Sequence, residues 1–275
     1  LGNEEKLLPH VWNNDASPQT LVSDIMNVSE VAPQLVAGFE NRVRAFVQVQ
    51  QGCDHRCTFC IIPFARGNSR SIPIGKLVEQ TQMLIDNGYK EIVLTGVDLT
   101  SYGSDLPGQP SLGNMVGRLL KHVPDLKRLR LSSLDPVEID ADLLKLIGNE
   151  QRLMPHLHLS IQAGDDMILK RMKRRHLRKH VIDLAKQLRD IRPGIVLGAD
   201  LIAGFPTETD AMFKQSLNLI SEIELVHLHV FPYSAREGTP AAKMPQVPQA
   251  MRKVRAAILR KAGQNMLHQY LKSCV

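Results

Sequence analysis

Four cysteines in 275 residues are too few for a disulfide scaffold, and a chain of this length buries a core without one. Aromatic residues make up only 4% of the sequence, so the stacking platform used by single-strand nucleic-acid binders is not evident. No apolar run approaches the roughly 18 residues of a membrane span. The opening LGNEEKLLPH lacks the basic-then-apolar order of a secretory signal. The glycine fingerprint GxGxxG of dinucleotide-binding sheets is also missing. A cytoplasmic, membrane-free protein is the expectation.

Three of the four cysteines fall within eight residues, Cys53, Cys57 and Cys60 in QGCDHRCTFC. Soft thiolates hold iron-sulfur clusters or zinc, and purely structural sites of either kind usually take four protein ligands. The remaining cysteine, Cys274, is more than two hundred residues away. A cube held by three thiolates leaves one iron open for a small molecule, and this is the preferred reading. A zinc site completed by His55 competes with it, although zinc ligands normally come as two separated pairs. Cys57 and Cys60 also form a CxxC pair, but Cys53 is superfluous to thioredoxin-like chemistry.

Residues 1–42 hold six acidic and two basic residues, a charge of −4, so the rest of the chain carries +10 and the net is +6. Basic residues concentrate in LKRMKRRHLRKH (169–180) and around Arg252, Lys253, Arg255, Arg260 and Lys261, a footprint expected of a phosphate-rich partner such as RNA and also compatible with a solvated helix face. Residues 1–42 read as linker. From residue 43 on, six strand-plus-helix units follow: RVRAFVQVQ, EIVLTG, KRLRLSS, HLHLSIQ, IVLGADLIAG and LVHLHVFPYS are the strands, each followed by a helical pattern. Alternation of this kind predicts an α/β parallel sheet closed into a barrel or part of one, with function at the C-terminal strand ends; a doubly wound open sheet is the alternative. Those ends, among them QGCDHRC, TGVD, SSLDP, SIQAGDD and AGFPTET, are dressed with Gly, Pro, Ser and ligand-type residues.

The cysteine motif, the six-unit pattern and several ordered strings (QGCDHRCTFCIIPFARGNSRS, LTGVDLTSYG, LHLSIQAGDDMILKRMKRRH, DLIAGFPTET and FPYSAREGTPA) together resemble the radical S-adenosylmethionine (SAM) methylthiotransferases over roughly residues 40–245. Within that family the branch acting on threonylcarbamoyladenosine at position 37 of tRNA is the nearest in pattern, the isopentenyladenosine branch the close alternative and the ribosomal-protein branch more distant. The resemblance implies a radical SAM partial (β/α)6 TIM-like barrel over 43–245. It implies a 4Fe-4S cluster on Cys53, Cys57 and Cys60 whose open iron takes the amino and carboxylate groups of SAM. Reductive cleavage would then yield a 5′-deoxyadenosyl radical able to take a hydrogen from an unreactive carbon, and the overall reaction implied is addition of a methylthio group to carbon 2 of the adenosine. It further implies Phe59 beside the adenine, Gly96, Val97 and Asp98 at the methionyl amino group, Ser132 or Ser133, Ser160 and Gln162 at ribose or carboxylate, Arg174 on the SAM carboxylate, and Gly204 in close approach to the nucleoside. A reducing partner such as flavodoxin or ferredoxin and a monomeric state complete the expectation.

Several of these residues have plain structural competitors. Phe59 fits a core position, Ser132 and Ser133 fit helix caps, and Asp98 fits a loop-structuring role. His156, His158, His227 and His229 alternate along two strands and are read as packing residues; Thr207 is read as the N-cap of the helix after GFPTET. Family members carry an N-terminal domain with a second 4Fe-4S cluster and a C-terminal RNA-binding TRAM domain. Residues 1–42 are therefore expected to follow the first, and the basic helix at 246–275 to lead into the second. A zinc-stabilised RNA-binding module without catalysis is the reading from a different class.

Overall fold

The computed structural model describes residues 43–274 together with residues 2, 5, 9–12 and 20–28. Most of the 1–42 stretch read as linker lies outside the described residues, apart from a short helix α1 (Pro9–Trp12) and a single 3-10 turn at Ile25–Asn27 that Asp24 caps through Met26 N–H.

Alternating β-branched and polar residues give β1 (Ala45–Gln51), and Gly52, at φ 76°, turns the chain into the cysteine loop. The loop holds a five-residue helix α2 (Ile62–Arg66) and a two-residue strand β2 (Arg70–Ser71) that pairs antiparallel with the end of β1. Neither was read from sequence, because elements this short leave no periodicity. Regular units follow: α3 (Ile74–Asp86), begun by Pro73; β3 (Glu91–Gly96); α4 (Leu112–His122), capped by the Ser111 hydroxyl; β4 (Arg128–Leu131); α5 (Ala141–Asn149), capped by Asp140; and β5 (His156–Gln162). Because Asp140 caps α5, the cap reading of Ser132 and Ser133 is withdrawn.

The basic run 169–180 is not one helix. α6 (Asp166–Arg171) stops where Lys173 takes a left-handed φ of 60°, and α7 (Arg178–Ile191) starts afresh. β6 (Val196–Ala203), α8 (Asp210–Glu222), β7 (Leu225–Pro232) and the 25-residue α9 (Gln249–Ser273) complete the chain. Thr209, not Thr207, caps α8 through Met212 N–H; Thr207 sits at φ 68° and cannot adopt the extended backbone that an N-cap needs.

Six strands run parallel in the order β1, β3, β4, β5, β6, β7. β4 meets β5 only through isolated bridges at Leu129–Leu153 and Leu134–Leu159. Among the described residues no pairing joins β7 to β1, so the expected partial barrel is what forms, with β2 shielding one edge and α9 packed along β7 and β6. Leu157, Leu159 and Ile161 of β5, Leu129 and Leu131 of β4 and Ile92 and Leu94 of β3 bury against the helices as one core. The alternate positions therefore face the barrel interior, and Ser160 and Gln162 reach its upper rim.

His176, in the link between α6 and α7, is fully buried and donates from Nε2 to the Ile161 carbonyl at 3.0 Å, while its Nδ1 has no partner. Burial, with Arg174 adding to it, pushes this imidazole down to about 4. Its folded value lies below the roughly 6.5 of an unfolded chain, so its contribution to stability is present above that pH and is lost as pH falls toward 4. Urea denaturation followed across this window is expected to show up to about 3 kcal/mol of pH-dependent stability that His176→Gln removes. A variant with the same pH slope as the wild type would refute the assignment.

Candidate cofactor site

Gln50 decides where the cysteine loop begins. It is fully buried at the end of β1, and its Nε2 donates to the carbonyls of Gln51 and Gly52 and to Ser69 Oγ at 2.8–3.0 Å. Its Oε1 accepts the Asp98 N–H at 2.8 Å, which ties the loop to the end of β3. Gly96 is needed there because a Cβ would stand 3.0 Å from the same oxygen. Nothing in the sequence marked this glutamine, since its partners come from three separate segments.

The loop so held carries Cys53, Cys57 and Cys60, all free and half-buried, on the wall of a cavity of about 310 Å³. Phe59, Gly96, Val97, Asp98, Ser132, Ser160, Gln162 and Arg174 line the same cavity. Gly204 does not: at φ 70° its backbone lies against α9, where a Cβ would meet Arg252 Cγ at 2.6 Å. Its lack of a side chain serves helix docking, which corrects the nucleoside role expected of it.

Charged side chains brace the rim. His55 Nε2 lies 2.9 Å from Asp98 Oδ2 and 3.5 Å from Glu138 Oε2, and these two partners, Asp98 first, push the imidazole up to about 10. Burial opposes ionisation of Glu138, but His55 and Arg175 outweigh it and hold the carboxyl at about 2. His55 Nε2 is thus engaged by the two carboxylates at the rim. Arg174 donates to Asp135 Oδ2 and to the Ser160 carbonyl, both at 2.8 Å, and its other terminal nitrogen lies 3.7 Å from Cys57 Sγ. Asp135, Glu138 and Asp200 belong to this wall and network, yet sequence reasoning passed over them. The SSLDP strand end was the one available signal.

The donor chemistry tests what the site suits. Burial first, then the Asp98 carboxylate, pushes the Cys53 thiol up to about 12, and burial also raises Cys60. A redox or nucleophilic CxxC needs the opposite shift. Thiols with this environment become thiolates only beside a strongly cationic centre, as metal-bound sulfur does. Ser132 Oγ is buried in the cavity wall with no partner, an orphan that a polar ligand would satisfy. Gln162 adopts φ 72°, a left-handed conformation costing about 1 kcal/mol or more in a non-glycine residue, at the irregular end of the β5–β6 pairing. Phe59 lines the cavity while meeting Phe205 edge-on, with ring centroids 6.4 Å apart. Three soft ligands, an orphaned hydroxyl, a guanidinium and an aromatic ring around one cavity fit an iron-sulfur cluster with a bound polar nucleoside.

Several arginines of the basic clusters are spent on contacts within the fold. Arg171 bonds Thr207, Arg174 and Arg175 pair with Asp135 and Glu138, Arg178 holds Gly164, Gln215 and Glu222, and Arg252, Arg255 and Arg260 are spent on α9 docking. Lys170, Lys173, Lys179, Lys253 and Lys261 stay exposed, as do Arg175 and Arg260 despite their partners. Net charge by itself is therefore a weaker argument for RNA than the sequence implied.

Residues 47–220 match the sequence pattern of the Radical SAM superfamily. Over 272 residues, 99% of this chain and 64% of the relative, the sequence is 59% identical to the threonylcarbamoyladenosine tRNA methylthiotransferase MtaB of Rickettsia prowazekii. It is 38% identical to the tRNA-2-methylthio-N(6)-dimethylallyladenosine synthase of Rickettsia rickettsii, over 84% of this chain and 52% of that protein. The chain thus spans less than two thirds of the length of these curated relatives. Among solved structures, the radical SAM methyltransferase TsrM of Kitasatospora setae superposes with a TM-score of 0.58 at 16% identity, covering 72% of this chain and 38% of that one, a likeness of fold.

Proposed function

Since this chain belongs to the radical SAM superfamily, we propose that it is the radical-generating core of a tRNA methylthiotransferase that adds a methylthio group to carbon 2 of N6-threonylcarbamoyladenosine. The observation that carries the reading is the convergence of three free thiols on a cavity that also contains the orphaned Ser132 hydroxyl. In this reading Cys53, Cys57 and Cys60 hold a 4Fe-4S cluster and the adjoining cavity takes SAM. When bound, the two together supply an electron and a cleavable sulfonium, and hence a carbon radical able to attack an unreactive C–H bond.

The chain's own residues do the positioning. Ser132 Oγ and the Ser160 and Gln162 side chains offer hydrogen bonds to the nucleoside, and Phe59 a face for its base. Gly96 and Val97 bring backbone close to the methionyl end. Asp98 works through its carboxylate, since its N–H is already given to Gln50. Arg174, fixed by Asp135, presents a fork that suits a carboxylate. Residues 43–245 constitute this core and the segment 246–275, which contains α9, its basic extension. The tRNA and a low-potential electron donor are the partners, and the whole reaction is assigned to an enzyme of the relatives' length, in which a second cluster has its place.

Anaerobic reconstitution with iron and sulfide, followed by assay of 5′-deoxyadenosine from SAM under reduction, tests the core activity. Nucleoside mass spectrometry of tRNA from cells lacking the protein tests the substrate. One tightly held zinc without SAM cleavage would defeat the first assignment. Loss of the methylthio group from the dimethylallyl nucleoside instead would defeat the second.

A further inference from the structure

The interior faces of β5, β6 and β7 carry a polar group that the cofactor reading leaves unused. Asp200 on β6 accepts from His158 Nε2 on β5 at 2.9 Å and from His229 Nδ1 on β7 at 3.1 Å, both through Oδ1. Asp200 and His229 are register partners, and the two imidazole rings lie 4.4 Å apart between centroids. The arrangement has been given room: a Cβ on Gly198 would stand 2.7 Å from His158 Nδ1, so glycine is the residue that admits the ring. Packing alone does not account for it. Apolar side chains at these positions would bury more readily, and the His229 side chain is 63% exposed. Its Nε2 has no partner among the described residues, while Asp200 lines the same cavity as the three cysteines.

A carboxylate that lines the cofactor cavity, fixes one nitrogen of each of two rings and leaves the other nitrogen of the more exposed ring free is a pre-formed hydrogen-bonding site for a substrate. We propose that His229, oriented by Asp200 and backed by His158, binds the polar substituent on N6 of the target adenosine and selects threonylcarbamoyl over dimethylallyl. This rests on the tRNA methylthiotransferase reading above. The threonylcarbamoyl group offers ureido N–H, hydroxyl and carboxylate partners for an imidazole nitrogen. The dimethylallyl group offers hydrocarbon alone, and would leave His229 unpaired once tRNA covers it. Sites built to hydrogen-bond a substrate group reject analogues lacking it far more strongly than apolar pockets reject an added polar group.

The test is competition inside cells. The gene is expressed in a host lacking its own enzymes for both nucleosides, and the methylthiolated fraction of threonylcarbamoyladenosine and of dimethylallyladenosine is read from the same tRNA pool. Wild type is expected to modify the first. His229→Leu is expected to shift the ratio of the two toward dimethylallyladenosine by about tenfold or more, with His229→Gln recovering most of the preference. Equal loss on both nucleosides in His229→Leu, or an unchanged ratio, overturns the inference while leaving the functional reading intact. A wild type acting on dimethylallyladenosine alone overturns both. One equivalent of a divalent metal ion bound by wild type and lost from Asp200→Asn would also overturn it, by giving the imidazoles another ligand.

Discussion

Cys57→Ala is expected to leave a folded protein that, after anaerobic reconstitution, shows no iron-sulfur absorbance and cleaves SAM more than about 100-fold more slowly, a larger effect than loss of an outer-shell partner usually has. The reasoning starts from the surroundings of the thiols. Cys53 and Cys60 are pushed away from ionisation by burial and, for Cys53, by Asp98, and the backbone N–H groups of His55 and Ile62 offset this only in part. Cluster assembly must therefore supply the energy to deprotonate Cys53 and Cys60, and a site reduced to two ligands loses both the charge compensation and the chelate. Cys57 is only half-buried, so the fold should tolerate alanine. Cys274→Ala serves as the contrast: the thiol is exposed just past the end of α9 and should change neither absorbance nor cleavage. Near-normal cleavage in Cys57→Ala would remove that residue from the ligand set. Retention of zinc in place of iron would remove the enzyme reading altogether.

The parts of this site that could be read from sequence are those fixed by local chain geometry. The three cysteines share one loop, and the strand ends follow from hydrophobic alternation, so Ser132, Ser160, Gln162 and Asp98 fell on one cavity once the strands ran parallel. Residues whose role depends on a distant partner were misjudged. Gln50 looks like any polar strand residue until Ser69 and Asp98 arrive from other segments. The basic run 169–180 looked like one surface, but Lys173 breaks it and Asp135, Glu138 and Glu222 neutralise much of it. The four strand histidines were read as packing, and for His156 and His227, whose rings meet edge-on at 5.5 Å, nothing argues otherwise. His158 and His229 depart from that reading because Asp200 is the residue between them, and the pairing of β5, β6 and β7 is invisible in one dimension.

The GFPTET string illustrates the same point energetically and carries the second large prediction. Glu208 is 1% exposed and Arg255 6%; they pair at 2.8 Å, with Glu208 Oε2 also accepting the Gly204 N–H at 2.9 Å and Arg255 reaching Asp210 at 2.6 Å. The pair pins α9 to the end of β6. Burial nevertheless outweighs the guanidinium, and the Glu208 carboxyl sits above its ordinary value, so the bridge does not fully offset the cost of desolvating its acid. Arg255→Ala should then cost about 3–5 kcal/mol, because it strands a buried carboxylate, and lower Tm by on the order of 10 °C. Glu208→Gln combined with Arg255→Met should recover more than half of that loss. The amide carbonyl still accepts from Gly204, no charge is left unpaired, and the thioether occupies the volume over the Phe213 ring that the guanidinium now faces at 5.4 Å. Calorimetry on the three proteins separates the possibilities. A double variant no better than Arg255→Ala would mean that the ion pair itself, and not relief of a stranded charge, holds α9 against the strands that carry Asp200 and His229.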